Sequence, residues 1–182
     1  MKFRIGFDID GVLGDFMTQY QTFFNQLYPG ENYNFSSITT YNYTSIGGEL
    51  YRMDGFYENM PAIPGSQSTI IQCCSTYEVF AISATPEYAR SARTLWLRRM
   101  FPEIYSKNIY FIEPDQKRDF CETMGIHLLV EDCPSTIEAF RPEQILVYGW
   151  MYNKHLASTY QIVNHNNIIK YIKERESKCM LY

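Results

Sequence analysis

Five short apolar runs, separated by segments with helical periodicity, constrain the fold of this 182-residue chain more than any other feature. Each run is rich in β-branched or aromatic residues, and runs of this length are typical of strands buried on both faces of a sheet. They lie at 3–9, 79–83, 109–112, 128–130 and 145–148. Strands that alternate with helices predict an α/β fold, with a mostly parallel sheet flanked by helices.

The segments between the runs predict specific helices. After the second run, Thr85 can cap a helix that has Pro86 at its first position. The residues that then recur at helical spacing are Tyr88, Ala92, Leu95, Trp96 and Arg99. We expect a short helix in "EDCPSTIEAFR" and a longer one in "IVNHNNIIKYIKERE", near the end of the chain.

The region after the first run has a different composition. Residues 15–60 contain twelve aromatic residues and no run that predicts a buried strand. The residues that share one helical face are Phe16, Tyr20, Phe23, Phe24 and Leu27. We therefore predict a small helical insertion at 15–65, placed within a core formed by 1–14 and 66–182.

Charge and cysteine content limit the class of partner. The formal net charge is −4 and the pI is near 5.4, which argues against a broad basic surface for duplex nucleic acid and leaves a small anionic ligand open. The five cysteines have neither zinc-finger spacing nor the density of a disulfide scaffold. No apolar stretch approaches the roughly 18 residues of a membrane span, and the first residues become charged too soon for a signal peptide. We expect a cytoplasmic protein without a membrane partner, and a homodimer is left open.

The first run ends in the acidic segment "DIDGVLGD", with Asp8, Asp10 and Asp15 around Gly11. These acids could hold a metal, attack a substrate or simply end a strand. Other polar residues follow the later runs in the order Ser83, Lys117, Glu131 and Asp132. Because the carboxyl ends of parallel strands meet at one edge of a sheet, where α/β proteins bind ligands, we expect these side chains to form one site.

Four segments in this order resemble the motifs of the haloacid dehalogenase superfamily of phosphohydrolases. They are "DIDGVLGD", Ser83 in "FAISAT", Lys117 in "DQKRDF", and "LLVEDCP". The resemblance covers the whole chain and implies a Rossmann-like core with a small helical cap after the first strand. More narrowly, "DGVLGDF", "GFYENMPAIPG", "LLVEDCP" and "LVYGWMYNKHL" are similar to segments of the 5'-nucleotidases of the deoxyribonucleotidase type.

The resemblance implies a magnesium-dependent phosphomonoesterase in which Asp8 attacks phosphorus and forms an aspartyl phosphate. Asp10 then acts as general acid and base. The implied ligands of Mg²⁺ are the Asp8 carboxylate, the Asp10 backbone carbonyl and the Asp132 carboxylate, with Glu131 supporting them. A dianionic phosphate repels a carboxylate nucleophile, and Lys117 and the metal compensate for that repulsion.

Substrate contacts are predicted at Ser83, Ala84 and Lys117 for the phosphate, and at Phe16 and Phe56 in the cap. Core packing is the alternative for the cap aromatics, and a packed or solvated loop is favoured for Asn153 and His155. The predicted substrate is a (deoxy)nucleoside 5'-monophosphate. A sugar phosphate, a nucleic-acid 3'-phosphate end and a nucleotide-binding module without turnover are the alternatives.

Overall fold

The computed structural model describes residues 2–179 and contains one six-stranded parallel sheet in the order β3-β2-β1-β4-β5-β6. The strands are β1 Arg4–Phe7, β2 Glu78–Ser83, β3 Ile109–Phe111, β4 Leu128–Glu131, β5 Ile145–Tyr148 and β6 Ile162–Val163. This confirms the predicted α/β class and the five predicted strands. The sixth strand was missed: "IV" at its position was predicted as the start of the last helix, which begins six residues later.

Seven α-helices accompany the sheet: α1 Phe16–Leu27, α2 Thr44–Gly47, α3 Ser66–Thr76, α4 Arg90–Met100, α5 Lys117–Thr123, α6 Pro134–Ile137 and α7 Ile168–Cys179. Short 3-10 helices occur at Phe35–Ser37, Leu50–Arg52, Glu87–Ala89, Ser106–Asn108, Pro114–Gln116, Pro142–Gln144 and Met151–Ser158. These counts apply to residues 2–179. Within that range, no helix is long and apolar enough to cross a membrane.

The core lies in two layers because successive strand residues point to opposite faces of the sheet. On one face, Ile5 and Phe7 of β1 pack with residues of α3, α4 and α7. On the other face, Ile82 of β2 and Leu129 of β4 pack with residues of α5 and α6. Burial on both faces explains why the strands are continuous apolar runs rather than alternating ones.

The register of α4 differs from the prediction. Thr85 does not cap a helix, because a 3-10 turn at Glu87–Ala89 intervenes and α4 begins at Arg90. Tyr88 and Leu95, predicted on the packed face, are 52% and 62% exposed. The buried residues of α4 are Arg93, Trp96 and Leu97.

Segment 15–65 is helical and irregular, and no β-strand element falls in it, although all of its residues are described. Asp15, the third acid of the first motif, is the N-cap of α1: its carboxylate accepts from the backbone N–H of Thr18 at 3.0 Å. Tyr20, Phe35 and Phe56 are fully buried among the other aromatic rings of the segment. Leu27 is 48% exposed, so the predicted apolar face of α1 is buried only in part.

The two ends of segment 15–65 are joined by backbone hydrogen bonds. The N–H of Asp15 donates to the carbonyl of Pro61 at 2.8 Å, and the N–H of Ile63 donates to the carbonyl of Leu13 at 2.8 Å. We call this paired stretch, 13–15 with 61–63, the neck. The division into core and cap stays a prediction, and residues 1 and 180–182 of the predicted core lie outside the described residues.

Candidate active site

A buried cluster of three carboxylates and one lysine lies where β1 and β4 end. The two strands are paired in parallel with Phe7 opposite Val130, so the residues that follow them, Asp8 and Glu131, reach the same edge. The ammonium of Lys117 lies 2.6 Å from Asp8 Oδ1 and 2.7 Å from Glu131 Oε2. Oxygen atoms of Asp8, Glu131 and Asp132 lie within 4.8 Å of one another. Asp8, Lys117 and Glu131, which the sequence analysis grouped by strand order, are thus in direct contact, and Asp132 lies beside them.

The electrostatics of this cluster are those of crowded buried acids. Burial raises the pKa of Asp8 to about 7, and the charge of Glu131 adds to this while Lys117 opposes it. Burial, together with Glu131 and Asp8, raises the pKa of Asp132 well above its usual range. Burial alone would lower the pKa of Lys117, but the carboxylates of Asp8 and Glu131 outweigh it and raise that pKa. The ionised carboxylates therefore need more positive charge than one lysine provides.

The residues of the cluster fit a hard divalent cation. Three carboxylates face one ammonium, which leaves two negative charges without a partner if all the groups are ionised. Among the described residues, Asp132 Oδ1 is buried and has no hydrogen-bond partner. Both oxygens of Glu131 are engaged, because Oε2 takes Lys117 and Oε1 accepts from the backbone N–H groups of Asp132 and Cys133. Asp8 and Asp132 are therefore the carboxylates that remain available to a cation.

Gly11 is required by the geometry of the same edge. Its φ is +76°, a conformation that side chains rarely adopt, and a Cβ atom there would lie 2.2 Å from Asp132 Oδ2. The backbone of the first loop can approach the fourth motif only because this residue has no side chain.

Asp10 is paired with a residue that the sequence analysis did not identify. Its Oδ1 lies 2.5 Å from Nη2 of Arg93, whose side chain is fully buried. The guanidinium of Arg93 also lies 4.5 Å from the ring centre of Tyr57. A single arginine in an amphipathic helix is normally solvated. The only feature of the sequence that could have indicated a buried Arg93 is its spacing from Trp96, which places both residues on one face of α4.

Ser83 is the last residue of β2, and Ala84 follows it at the same edge. Ser83 is 2% exposed, and its Oγ accepts a hydrogen bond from the hydroxyl of Thr85 at 3.1 Å. Because Thr85 is the donor in that contact, the Ser83 hydroxyl keeps its own proton for another acceptor. Both Ser83 and Ala84 line the cavity described next.

A cavity of about 400 Å³ lies at the cluster and is partly open to solvent. From the sheet edge, its lining includes Asp8, Asp10, Ser83, Lys117 and Asp132. From segment 15–65, its lining consists of Phe16, Met17, Tyr41, Tyr43, Thr44, Tyr51 and Tyr57. The cavity therefore has one charged wall and one uncharged, mainly aromatic wall.

Of the two contacts predicted in segment 15–65, Phe16 lines the cavity and Phe56 does not. Phe56 is fully buried against Phe16 and Tyr57 and does not line the cavity, so its predicted place in the substrate site is wrong; the neighbouring Tyr57 faces the cavity instead. Asn153 is buried and His155 is exposed, in line with the favoured packed or solvated positions, but both lie in the 3-10 helix Met151–Ser158 rather than in a loop. Asn153 donates to the backbone carbonyl of Asp132 at 2.9 Å.

Comparison with known proteins identifies the family. A family model described as 5' nucleotidase, deoxy (pyrimidine), cytosolic type C protein matches residues 2–177. The chain belongs to this nucleotidase family. It is therefore a phosphatase of the haloacid dehalogenase superfamily, a phosphoric monoester hydrolase, as the sequence motifs predicted.

Individual relatives of this nucleotidase are distant. The 5'(3')-deoxyribonucleotidase of Clostridium acetobutylicum is 23% identical over 155 residues, which cover 80% of this chain and 81% of the relative. A haloacid dehalogenase-like hydrolase from Streptococcus pneumoniae has a TM-score of 0.64 at 13% identity, covering 94% of this chain and 98% of that one. A hydrolase of the same superfamily from Deinococcus radiodurans R1, solved with bound phosphate and sodium, has a TM-score of 0.62 at 15% identity, covering 96% and 97%. At these identities, the two structures show a shared fold.

Proposed function

We propose that this nucleotidase is magnesium-dependent and hydrolyses nucleoside or deoxynucleoside 5'-monophosphates to nucleoside and phosphate. The observation that carries the proposal is the position of Asp8. Its carboxylate shares a buried cluster with Lys117 and Asp132, and it lines a cavity whose opposite wall is uncharged and aromatic. The cluster suits a phosphoryl group, and the aromatic wall suits the nucleoside.

In the first step, a carboxylate oxygen of Asp8 attacks phosphorus, the bond between phosphorus and the ester oxygen breaks, and an aspartyl phosphate forms. Lys117 donates to Asp8 Oδ1 at 2.6 Å, which leaves the second oxygen of Asp8 for the attack. The same ammonium places a positive charge beside the phosphoryl oxygens, where negative charge accumulates.

Asp10 is the proposed general acid and base. It gives a proton to the departing alkoxide and later takes one from the water that attacks the aspartyl phosphate, which releases phosphate and restores Asp8. The contact with Arg93 at 2.5 Å fixes the position of the Asp10 carboxylate at the cavity wall.

Ser83 is the proposed donor to a phosphoryl oxygen, because its hydroxyl proton is not used in the contact with Thr85. Ala84 lies beside it in the cavity wall. Asp8, Asp132 and the backbone carbonyl of Asp10 would hold the magnesium ion, and Glu131 would support them by fixing Lys117 and the turn at Cys133. When bound, the ion supplies positive charge that stabilises the transferring phosphoryl group.

The shape and charge of the cavity support a mononucleotide as substrate. A volume of about 400 Å³ is within the range of small-molecule sites. The wall formed by segment 15–65 carries no charged side chain, so it favours an uncharged leaving group over one with a second phosphate. Stacking of a base on rings such as Phe16 or Tyr57 would contribute roughly 1–3 kcal/mol.

The test is phosphate release from a panel of 5'- and 3'-nucleoside monophosphates, sugar phosphates and p-nitrophenyl phosphate, with and without Mg²⁺. Wild type is compared with Asp8→Asn. Asp15→Asn serves as the matched control, since asparagine caps a helix as well as aspartate does and Asp15 contacts Thr18. We expect Mg²⁺-dependent release from a few 5'-monophosphates, lost in Asp8→Asn and kept in Asp15→Asn. Equal rates on sugar phosphates, or turnover by Asp8→Asn, would refute the substrate class or the covalent mechanism respectively.

A further inference from the structure

The segment that follows β5 contacts both the loop after β1, which contains Asp8, and the turn after β4, which contains Asp132. The indole Nε1 of Trp150 donates to the backbone carbonyl of Gly11 at 2.7 Å, in the first loop. Asn153 donates to the backbone carbonyls of Asp132 and Tyr148, each at 2.9 Å. Between them, the hydroxyl of Tyr152 donates to Asp132 Oδ2. Two loops that come from different strands are thus held by one short segment.

Tyr152 connects this segment to the cavity. It is 3% exposed and also lines the cavity. Its ring lies nearly parallel to that of Trp150, with an interplanar angle of 9°. On another side, the ring of Tyr41 meets it edge-on, with centroids 5.2 Å apart. Since Tyr41 belongs to segment 15–65, one tyrosine joins the aromatic wall of the cavity to an acid of the charged wall.

We propose that Tyr152 is a positioning residue. Its hydroxyl orients the Asp132 carboxylate toward a divalent cation, and its ring packs against Tyr41 and fixes the position of that residue. This inference rests on the metal site of the proposed function. A carboxylate with one oxygen fixed by a phenol cannot rotate freely, and Asp132 Oδ1 is the oxygen left without a partner in the described part of the chain. Tyrosine suits this task because it remains a protonated donor at neutral pH.

The hydroxyl and the ring have separable roles. Tyr152→Phe removes the hydrogen bond to Asp132 and keeps the ring that contacts Tyr41. Loss of an outer hydrogen bond of this kind typically weakens metal binding about 10- to 100-fold. We therefore expect Tyr152→Phe to weaken cation binding by that factor, with little change in KM for the phosphate ester at saturating metal.

The direct test is binding of Mn²⁺, followed by the electron paramagnetic resonance signal of the free ion, in the absence of substrate. Four proteins are compared: wild type, Tyr152→Phe, Asp132→Asn, and Tyr105→Phe as a matched control at a side chain that is 71% exposed. We expect wild type and Tyr105→Phe to bind equally, Tyr152→Phe to bind 10- to 100-fold more weakly, and Asp132→Asn to bind least. Circular dichroism checks that each variant is folded.

The outcomes distinguish the two proposals. If Asp132→Asn loses binding and Tyr152→Phe binds as wild type does, the positioning role is overturned and the metal site stands. If wild type does not bind Mn²⁺, or Asp132→Asn binds it unchanged, the metal site itself is overturned and the role of Tyr152 with it. The inference is supported if Tyr152→Phe binds Mn²⁺ more weakly than wild type while Tyr105→Phe binds it as wild type does.

Discussion

Arg93 and Asp10 form an ion pair in which the arginine is completely buried and the aspartate is not. Nη2 of Arg93 lies 2.5 Å from Asp10 Oδ1, and the exposed fractions of the two side chains are 0% and 26%. Two other nitrogens of the guanidinium are poorly satisfied: Nη1 lies 3.8 Å from the sulfur of Met60, and Nε has no hydrogen-bond partner among residues 2–179. The pair is therefore asymmetric, since only one of its charges has access to water.

This asymmetry predicts unequal costs when either partner is removed. Asp10→Ala leaves a buried guanidinium without a carboxylate, and we expect it to lower the free energy of unfolding by about 3–5 kcal/mol. Arg93→Met leaves a partly solvated carboxylate and fills much of the same space, so we expect a smaller loss. Urea denaturation of both variants without added metal measures the difference. A larger loss in Arg93→Met would contradict the asymmetric pair.

A second prediction concerns catalysis at the same pair. Arg93→Lys keeps the charge but loses the planar guanidinium that meets Asp10 and lies over Tyr57. Because a displaced catalytic group can cost up to about 100-fold in rate, we expect kcat to fall about 10- to 100-fold with KM nearly unchanged. Arg118→Lys, at a side chain 48% exposed and paired with Glu122, is the control and should keep the wild-type kcat. A rise in KM alone would show that Arg93 acts on substrate binding instead.

Divalent cations should stabilise the fold. When ionised, the three carboxylates of the acid cluster carry more negative charge than Lys117 compensates, and a cation that binds only the folded state adds about 2.7 kcal/mol at 100 times its Kd. For a domain of this size, this corresponds to a rise in Tm of roughly 5–10 °C. Thermal unfolding with Mg²⁺ or with a chelator measures it. The shift should disappear in Asp132→Asn, and a shift that survives there would place the cation elsewhere.

Gly11 offers a prediction with an internal control. Gly11→Ala adds a Cβ atom 2.2 Å from Asp132 Oδ2 at a φ of +76°, so we expect loss of activity and of cation binding. Gly30 also has a positive φ, of +119°, but nothing lies within 4 Å of a Cβ atom built there. Gly30→Ala should therefore incur only backbone strain, on the order of 1 kcal/mol, and retain activity. Similar activity in the two variants would show that close approach at Gly11 is dispensable.

The pH dependence of stability contains a contribution from His165. Its Nε2 lies 2.8 Å from the carbonyl of Val12, which can only accept, so this nitrogen carries the proton; Nδ1 faces the hydroxyl of Thr69 at 3.1 Å. Burial lowers the pKa of His165 below its usual range. A histidine whose folded pKa is depressed contributes fully above the unfolded pKa of about 6.5, and the contribution is lost as pH falls below that value.

Replacement of this histidine by a side chain that does not titrate tests the assignment. Glutamine can still donate to the Val12 carbonyl, so His165→Gln should lose less stability than wild type between pH 7 and pH 5. The comparison cancels the groups that titrate in both proteins, among them Asp8, whose raised pKa acts in the opposite direction. Parallel curves of unfolding free energy against pH would exclude His165 as the source.

The residues that sequence reasoning found are those whose position follows from strand ends. Asp8 and Asp132 come directly after parallel strands and Ser83 is the last residue of one, so the order of the strands alone places them at one edge. The apolar runs that are buried on both faces predict these strands without ambiguity. β6 was missed because it has only two residues, Ile162–Val163, too few to show a period.

The residues that sequence reasoning missed are positioned by features without periodicity. Arg93 is buried because a 3-10 turn before α4 shifts the helical register, and Tyr152 reaches Asp132 from the 3-10 helix Met151–Ser158, which the sequence pattern did not predict. Phe56 was predicted in the substrate site but lies in the core, and the neighbouring Tyr57 lines the cavity, since adjacent residues of an irregular segment have no fixed alternation between core and cavity.

The neck brings the two ends of segment 15–65 together. Because the backbones at 13–15 and 61–63 bond to each other, the chain enters and leaves the segment at one point. The acids at the sheet edge follow β1 and β4, and these strands pair with each other outside the segment. Replacement of residues between the two halves of the neck would therefore change the uncharged wall of the cavity, while Tyr41 and Tyr57 would have to be kept to preserve the contacts with Tyr152 and Arg93.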